Sequence, residues 1–284
     1  MRTDIAKEAK NSFPNLSGIR ETIHKSGVFE CVRIFVETEA AAKKLDKPIG
    51  TYLTITMPKY DTLSASDRTR CARFAAKELN SLLPISGDVL VIGLGNRHIT
   101  ADALGSRTAE AVLTTRHVIS LFSDVLPSGT RTVSSFCAGV LGATGLETVE
   151  VVSALCEKVR PDAVLVVDSL AAGSPDHIGV MLQMNDSGIS PGAGIGNFQT
   201  SLNQKTLGVP VVAIGVPLVV GAEAIVKKAV RRQLSDEENR TLKGLVLTPD
   251  SIDLAVKEAA KLLSKCINLA LHGRNLSALE KLLP

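Results

Sequence analysis

The chain has no tryptophan, two tyrosines and seven phenylalanines in 284 residues. Its interior must be packed with aliphatic side chains, which buried parallel strands favour. The shortage of aromatics argues against base-stacking platforms for single-stranded nucleic acid. Charge of one sign is also scarce: 32 Lys and Arg against 29 Asp and Glu leave a formal net charge of +3. That is too little to point to a direct nucleic-acid partner. The one dense basic cluster, Lys227 and Lys228 with Arg231 and Arg232, reads as a solvated helix face. Five scattered cysteines form no C-x-x-C pair, so neither a zinc site nor a disulfide framework is expected. Five histidines form no H-x-x-x-H pair. No run of 18 apolar residues occurs, so no membrane span is expected. The N-terminus, M-R-T-D-I-A-K-E-A-K, lacks the apolar segment of a signal peptide. The expectation is a soluble protein of a reducing cytoplasm.

What is present is material for a sizeable core. Hydrophobic residues make up 45% of the chain, and mean hydropathy is +0.20. From residue 88 onward, apolar runs alternate with amphipathic stretches. Strands are expected at 88–95, 132–137, 163–168, 178–184 (alternating and half-exposed) and 209–216. Helices are expected at 64–83, 102–121, 146–160, 221–234 and from Pro249 to His272, Pro being tolerated in a first helical turn. Upstream, 28–37 and 50–57 are rich in β-branched residues and read as an antiparallel pair at one sheet edge. Residues 1–27 are polar and weakly patterned. Alternating strands and helices make an α/β fold, with a mainly parallel sheet covered on both faces. No internal repeat or low-complexity linker interrupts residues 1–284, so a single domain is expected.

The richest stretch is D-V-L-V-I-G-L-G-N-R-H-I-T-A-D-A-L-G, Asp88 to Gly105. A buried strand runs into Gly93 and Gly95, Asn96 and His98 form a polar turn, and Asp102 is expected to open a helix. The turn is not a dinucleotide fingerprint, because His98 stands where the third glycine of G-x-G-x-x-G belongs. A P-loop is absent. The glycines read better as permitting close backbone approach to a ligand. A second strand ends in Asp168, within V-L-V-V-D-S-L-A-A. Each acid has a plain structural reading, as a helix-start carboxylate or a cap. Together they offer two carboxylates to the carboxyl edge of one sheet, where α/β proteins bind ligands. Two neighbouring carboxylates cannot both ionise easily, so one keeps a proton while the other can activate water. That is the equipment of amide hydrolysis without a nucleophilic side chain.

Other residues are weaker candidates. The glycine-rich segment Asp186–Asn197, with Gly192, Gly194 and Gly196, is long enough to be a functional loop or a surface connection. Its backbone N–H groups suit a peptide or an oxyanion. Glu147 reads as a first-turn helix acid at the same edge. His98 suits orienting Asp102 or plain loop polarity, and His177 follows Asp168 closely enough to reach the same crevice. A metal site of Asp102, Asp168 and a histidine stays open. A Ser-His-Asp triad is unsupported, since no G-x-S-x-G elbow occurs.

The stretch V-I-G-L-G-N-R-H-I-T-A-D-A-L-G-S-R-T-A-E-A-V-L-T-T-R-H-V resembles the germination proteases of spore-forming Firmicutes. G-V-L-G-A-T-G-L-E-T, V-V-D-S-L-A-A, N-D-S-G-I-S-P-G-A-G-I-G-N and T-L-G-V-P-V-V-A-I-G-V-P follow in the family's order. The resemblance implies a three-layer α/β/α fold related to hydrogenase-maturation endopeptidases. It implies an aspartic-type endopeptidase that degrades small acid-soluble spore proteins at germination, in the cytoplasm of the forespore or spore core. Asp102 and Asp168 match the family's two acids, with Gly93, Gly95, Asn96, His98, Glu147, Asp186, Gly192 and Gly194 as supporting or substrate-binding positions. No cofactor and no metal is implied, and homotetramers are. The family is made as a zymogen that trims its own N-terminus. Thr3-Asp4-Ile5-Ala6 resembles that site, which suggests cleavage between Asp4 and Ile5 and a propeptide of residues 1–4, shorter than is usual in the family. Relatives also carry a longer insertion before the last helix.

Two other readings compete with this one. A metal-dependent peptidase on the same scaffold would use the acids as ligands. A non-catalytic, nucleoside-binding α/β protein would use the glycine turns alone.

Overall fold

A nine-stranded mixed sheet forms the centre of the computed structural model, which describes residues 3–59, 62–192, 199–230 and 232–283. The chain begins with α1 (Ala6–Asn11) and a hairpin of β1 (Ile19–Ser26) and β2 (Phe29–Val36). Next come α2 (Glu39–Leu45), β3 (Gly50–Thr56) and α3 (Ala65–Asn80). The following stretch holds β4 (Val89–Leu94), α4 (Leu104–Glu110), α5 (Arg116–Phe122), β5 (Val133–Gly139), α6 (Leu141–Thr144), α7 (Thr148–Val159) and β6 (Ala163–Ala172). Last are β7 (Met181–Asn185), α8 (Gln204–Leu207), β8 (Val211–Gly221), α9 (Ala222–Val230), α10 (Asp236–Leu242), β9 (Val246–Leu247), α11 (Ile252–His272) and α12 (Leu276–Leu282).

Strand order is β1-β2-β3-β7-β8-β6-β4-β5, with β9 on β8. The half formed by β8, β6, β4 and β5 is parallel, as expected from its crossover helices. The other half is antiparallel through β7. Successive residues of the parallel strands fill opposite layers. Val89, Val91, Leu165 and Val167 pack towards α3 and α11, whereas Leu90, Ile92, Val164 and Val166 pack towards α7 and α8. These layers make the expected α/β/α arrangement.

Several expected elements change. The helix expected at 102–121 is two helices. At the break, Leu113 N–H donates to Asn268 Oδ1 at 2.9 Å, Asn268 Nδ2 donates to the Ala111 carbonyl at 3.2 Å, and Thr115 N–H donates to the Val133 carbonyl at 3.0 Å. Partners from α11 and β5 thus replace the helical bonds, a tertiary override of local preference. The strand expected to be half-exposed, β7, is buried from Met181 to Met184 because β3 and β8 flank it. Its buried polar residue, Gln183, is satisfied: Oε1 accepts the Thr54 hydroxyl at 2.8 Å and the Ala6 N–H at 3.0 Å, and Nε2 donates to the Met184 carbonyl at 2.8 Å. The weakly patterned N-terminus forms α1 and the edge strand β1, whose exposed charged residues suit a sheet edge.

Candidate active site

The chain leaves β4 for β5 on one side and comes back to β6 on the other. Winding therefore reverses between β4 and β6, the kind of switch point beside which open α/β sheets bind ligands. Asp102 follows β4. Asp168 lies on β6 immediately after Val167, whose register partner on β4 is Gly93. Both acids line one cavity of about 280 Å3, together with Gly95, Ser169, Gly192 and Asp4.

The turn after β4 is built around Asp102. Asn96 Oδ1 accepts the His98 N–H at 3.0 Å, and the Asn96 carbonyl accepts the Ile99 N–H at 3.0 Å. The Asp102 carboxylate then accepts the Asn96 N–H at 2.6 Å. Gly95 sits in the left-handed region at φ 88°, and a Cβ there would lie 2.8 Å from Asp102 Oδ1. At Gly93 a Cβ would lie 2.7 Å from the carbonyl carbon of Gly105 on α4. The glycines do permit close approach, but to the protein's own acid and helix. Asp102 itself does not open a helix. It closes a short 3-10 turn, Thr100–Asp102, and α4 starts at Leu104.

Asp168 is 7% exposed, and its carboxylate accepts the N–H of Ser169 at 2.8 Å. Burial raises its carboxyl well above the usual range, and the negative charges of Asp102 and Asp4 raise it further, against the Ser169 N–H. Burial also raises Asp102, opposed by the Asn96 N–H. Both carboxyls are raised, and the deeper burial of Asp168 favours its protonated form. The Ser169 hydroxyl beside it is buried without a hydrogen-bond partner among the described residues.

Asp4 is the third carboxylate of the cavity. Its N–H donates to the Ala171 carbonyl at 3.0 Å, and its carboxylate accepts the Ala171 N–H at 2.7 Å. Burial raises Asp4 too, opposed by Ala171 and by the charge of Lys47. Ile5 is fully buried against Leu170 and Met181. Glu8 accepts the Thr3 hydroxyl and, at 2.7 Å, the Gly173 N–H, and it pairs with His177. His177 therefore fastens the N-terminal segment, rather than lining the cavity.

Not every expected residue gathers here. His98 is exposed, with no side-chain bond to Asp102. Glu147 is the N-cap of α7 in a capping box, where its N–H donates to Glu150 Oε2 at 2.7 Å. Asp186 accepts the Thr51 N–H at 2.7 Å and joins β3 to the end of β7. Gly192 lines the cavity, while Gly194, Gly196 and Asn197 lie outside the described residues. Missed in the sequence were Val219 and Val246, which supply apolar wall from β8 and β9. A two-residue strand leaves no periodicity to find. Among the described residues, no group of three or more His, Cys, Asp or Glu side chains is placed to hold a metal ion. No described helix is long and apolar enough to cross a membrane.

Comparison with known proteins adds the family. The family model for germination protease matches residues 1–242. The germination protease of Clostridium tetani is 33% identical, over 96% of this chain and 95% of its own. That of Caldanaerobacter subterraneus is 33% identical, over 96% and 94%. That of Bacillus cytotoxicus is 38% identical, over 79% of this chain and 64% of its own. Among solved structures, the hydrogenase maturation protease HycI of Thermococcus kodakarensis matches 67% of this chain and 98% of its own, at 17% identity and a TM-score of 0.36. The family model and the full-length relatives agree, and the chain belongs to the germination protease family of peptidases.

Proposed function

We propose that this chain is an aspartic-type endopeptidase acting on small acid-soluble spore proteins during germination, with Asp102 and Asp168 as its water-activating pair. One observation carries the reading. Two carboxylates, Asp102 in the turn after β4 and Asp168 within the neighbouring parallel strand β6, share one cavity, and burial with the charges of Asp102 and Asp4 raises the Asp168 carboxyl. Each acid accepts one backbone N–H, and Asp102, the less buried of the two, takes the ionised role.

The roles follow from that asymmetry. Asp102 takes a proton from water as the water oxygen attacks the peptide carbonyl. Asp168 gives its proton to the carbonyl oxygen as the tetrahedral intermediate forms. Collapse of the intermediate returns that proton to Asp168, and Asp102 passes the other to the leaving amine. The pair ends as it began. Apolar wall from Val219 and Val246 lowers the local dielectric and strengthens each step.

The N-terminal segment fits the same reading. Asp4 lies in the cavity with Asp168, so the Asp4–Ile5 bond is the one the chain would cut in itself, making residues 1–4 a propeptide. As in the resemblance, the working form is a homotetramer of single-domain subunits in the spore cytoplasm. Cleavage of a purified small acid-soluble spore protein, blocked by Asp102→Asn and by Asp168→Asn, tests the reading. Unimpaired cleavage by both variants contradicts it.

A further inference from the structure

Lys47 stands beside the N-terminal segment with no part in the chemistry above. Its ammonium donates to the carbonyl of Thr3 at 2.8 Å. Thr3 immediately precedes Asp4, whose carbonyl belongs to the bond proposed to be cut. The lysine is well anchored. Asp46 ends α2 in a left-handed conformation, the Lys47 N–H donates to the Ala42 carbonyl at 3.1 Å, and Pro48 follows. Lys47 also lines a second cavity of about 380 Å3, with Tyr52, Asn185 and Ser187. Asp4, Ile189 and Ser190 line both cavities and stand between them.

Resting on the proposed cleavage between Asp4 and Ile5, we propose that Lys47 is a substrate-binding residue. Its ammonium takes the backbone carbonyl one residue before the scissile peptide, while Ala171 pairs with the residue that is cut. A chain so held lies across both cavities, in the place residues 3 and 4 occupy here. Bonds from Lys47 and the Ala171 carbonyl to its main chain give affinity whatever its side chains. An ammonium on a carbonyl reads position rather than side chain, so Lys47 sets the register of the chain against Asp168. A charge-assisted bond made equally before and during reaction lowers KM and leaves kcat alone.

The test uses the full-length chain, left until its N-terminal sequence is constant, and a synthetic peptide of its own residues 1–12. Lys47→Met should raise KM about tenfold or more, the loss of a hydrogen bond to a charged group. Its kcat should stay within about twofold, the mark of lost uniform binding. Lys47→Arg, which keeps charge and donors, should recover most of the loss. Because Lys47 follows α2, the variants are also checked by thermal melting, and Lys47→Ala, with the same expected rise in KM, serves if Lys47→Met unfolds. A second peptide carries sulfur in place of the Thr3 carbonyl oxygen, a weak acceptor. It should bind the wild type less well and be no worse than the normal peptide for Lys47→Met. An unchanged KM in Lys47→Met, or an equal penalty from sulfur in both proteins, overturns the assignment while leaving the proposed function standing. Absence of any peptide cleavage by the wild type overturns the cleavage reading, and this inference with it.

Discussion

Asp4 pairs with Ala171 twice, N–H to carbonyl at 3.0 Å and carboxylate to N–H at 2.7 Å. Ala171 lies on β6, the strand that carries Asp168. The first described residues of the chain therefore run along the strand of one proposed catalytic acid, and they place a third carboxylate in its cavity. In wild-type protein, N-terminal sequencing should reveal a new start at Ile5, and its rate of appearance should not depend on protein concentration. A start that stays at Met1 or Arg2 in protein that cleaves substrate contradicts self-processing at this bond.

The two acids should be separable from the fold. Asp102→Asn and Asp168→Asn should each lower kcat by about 10²–10⁴-fold, the usual scale for removing a general acid or base. Both proteins should keep the circular dichroism of the wild type, since Asp102 makes a turn contact with Asn96 and Asp168 one with Ser169, neither of which ties two distant elements together.

Asp168 should also shape stability against pH. Its carboxyl is raised in the fold, so the native state holds a proton that the unfolded chain has released. Stability then falls as pH rises from the ordinary carboxylate range through the raised value, because the unfolded state binds fewer protons. Asp168→Asn carries no such penalty. Its melting temperature should exceed that of the wild type at neutral pH by about 2–4 °C for each kcal/mol relieved, and the two should converge in acid. Parallel melting curves across pH would contradict the assignment of the proton.

Gly95 and Glu147 make a contrasting pair. Gly95→Ala imposes a left-handed alanine whose Cβ would lie 2.0 Å from the Asp102 carbonyl oxygen, so it should cost at least about 1–3 kcal/mol and most of the activity. Glu147→Ala removes a helix cap, so it should cost about 0.5–1 kcal/mol and leave kcat unchanged. Urea unfolding beside peptide cleavage measures both.

These contrasts show what was legible. Strands 163–168 and 209–216 announce themselves as aliphatic runs because parallel strands are buried on both faces. Asp168 is readable for the same reason, as a charge within an apolar run, although its strand continues to Ala172; Asp102 is readable from the glycine turn that follows a buried strand. The break between α4 and α5 is invisible locally, since Asn268 and Val133 supply its partners from far along the chain. Glu147, Asp186 and His98 look chemical in sequence because caps and turns draw on the residue types that catalysis uses. Lys47 carries no signal, and Ala171, though inside V-V-D-S-L-A-A, shows nothing of its contact with the N-terminus. Their role depends on where the N-terminus docks, a relation fixed by the fold alone.

The most direct measurement is cleavage of a purified small acid-soluble spore protein by full-length wild type and by Asp168→Asn, each with and without EDTA. Cleavage by the wild type alone, unchanged by EDTA, is the predicted result. Cleavage by Asp168→Asn at the wild-type rate, or wild-type cleavage lost to EDTA and restored by one divalent metal, would contradict the two-carboxylate account.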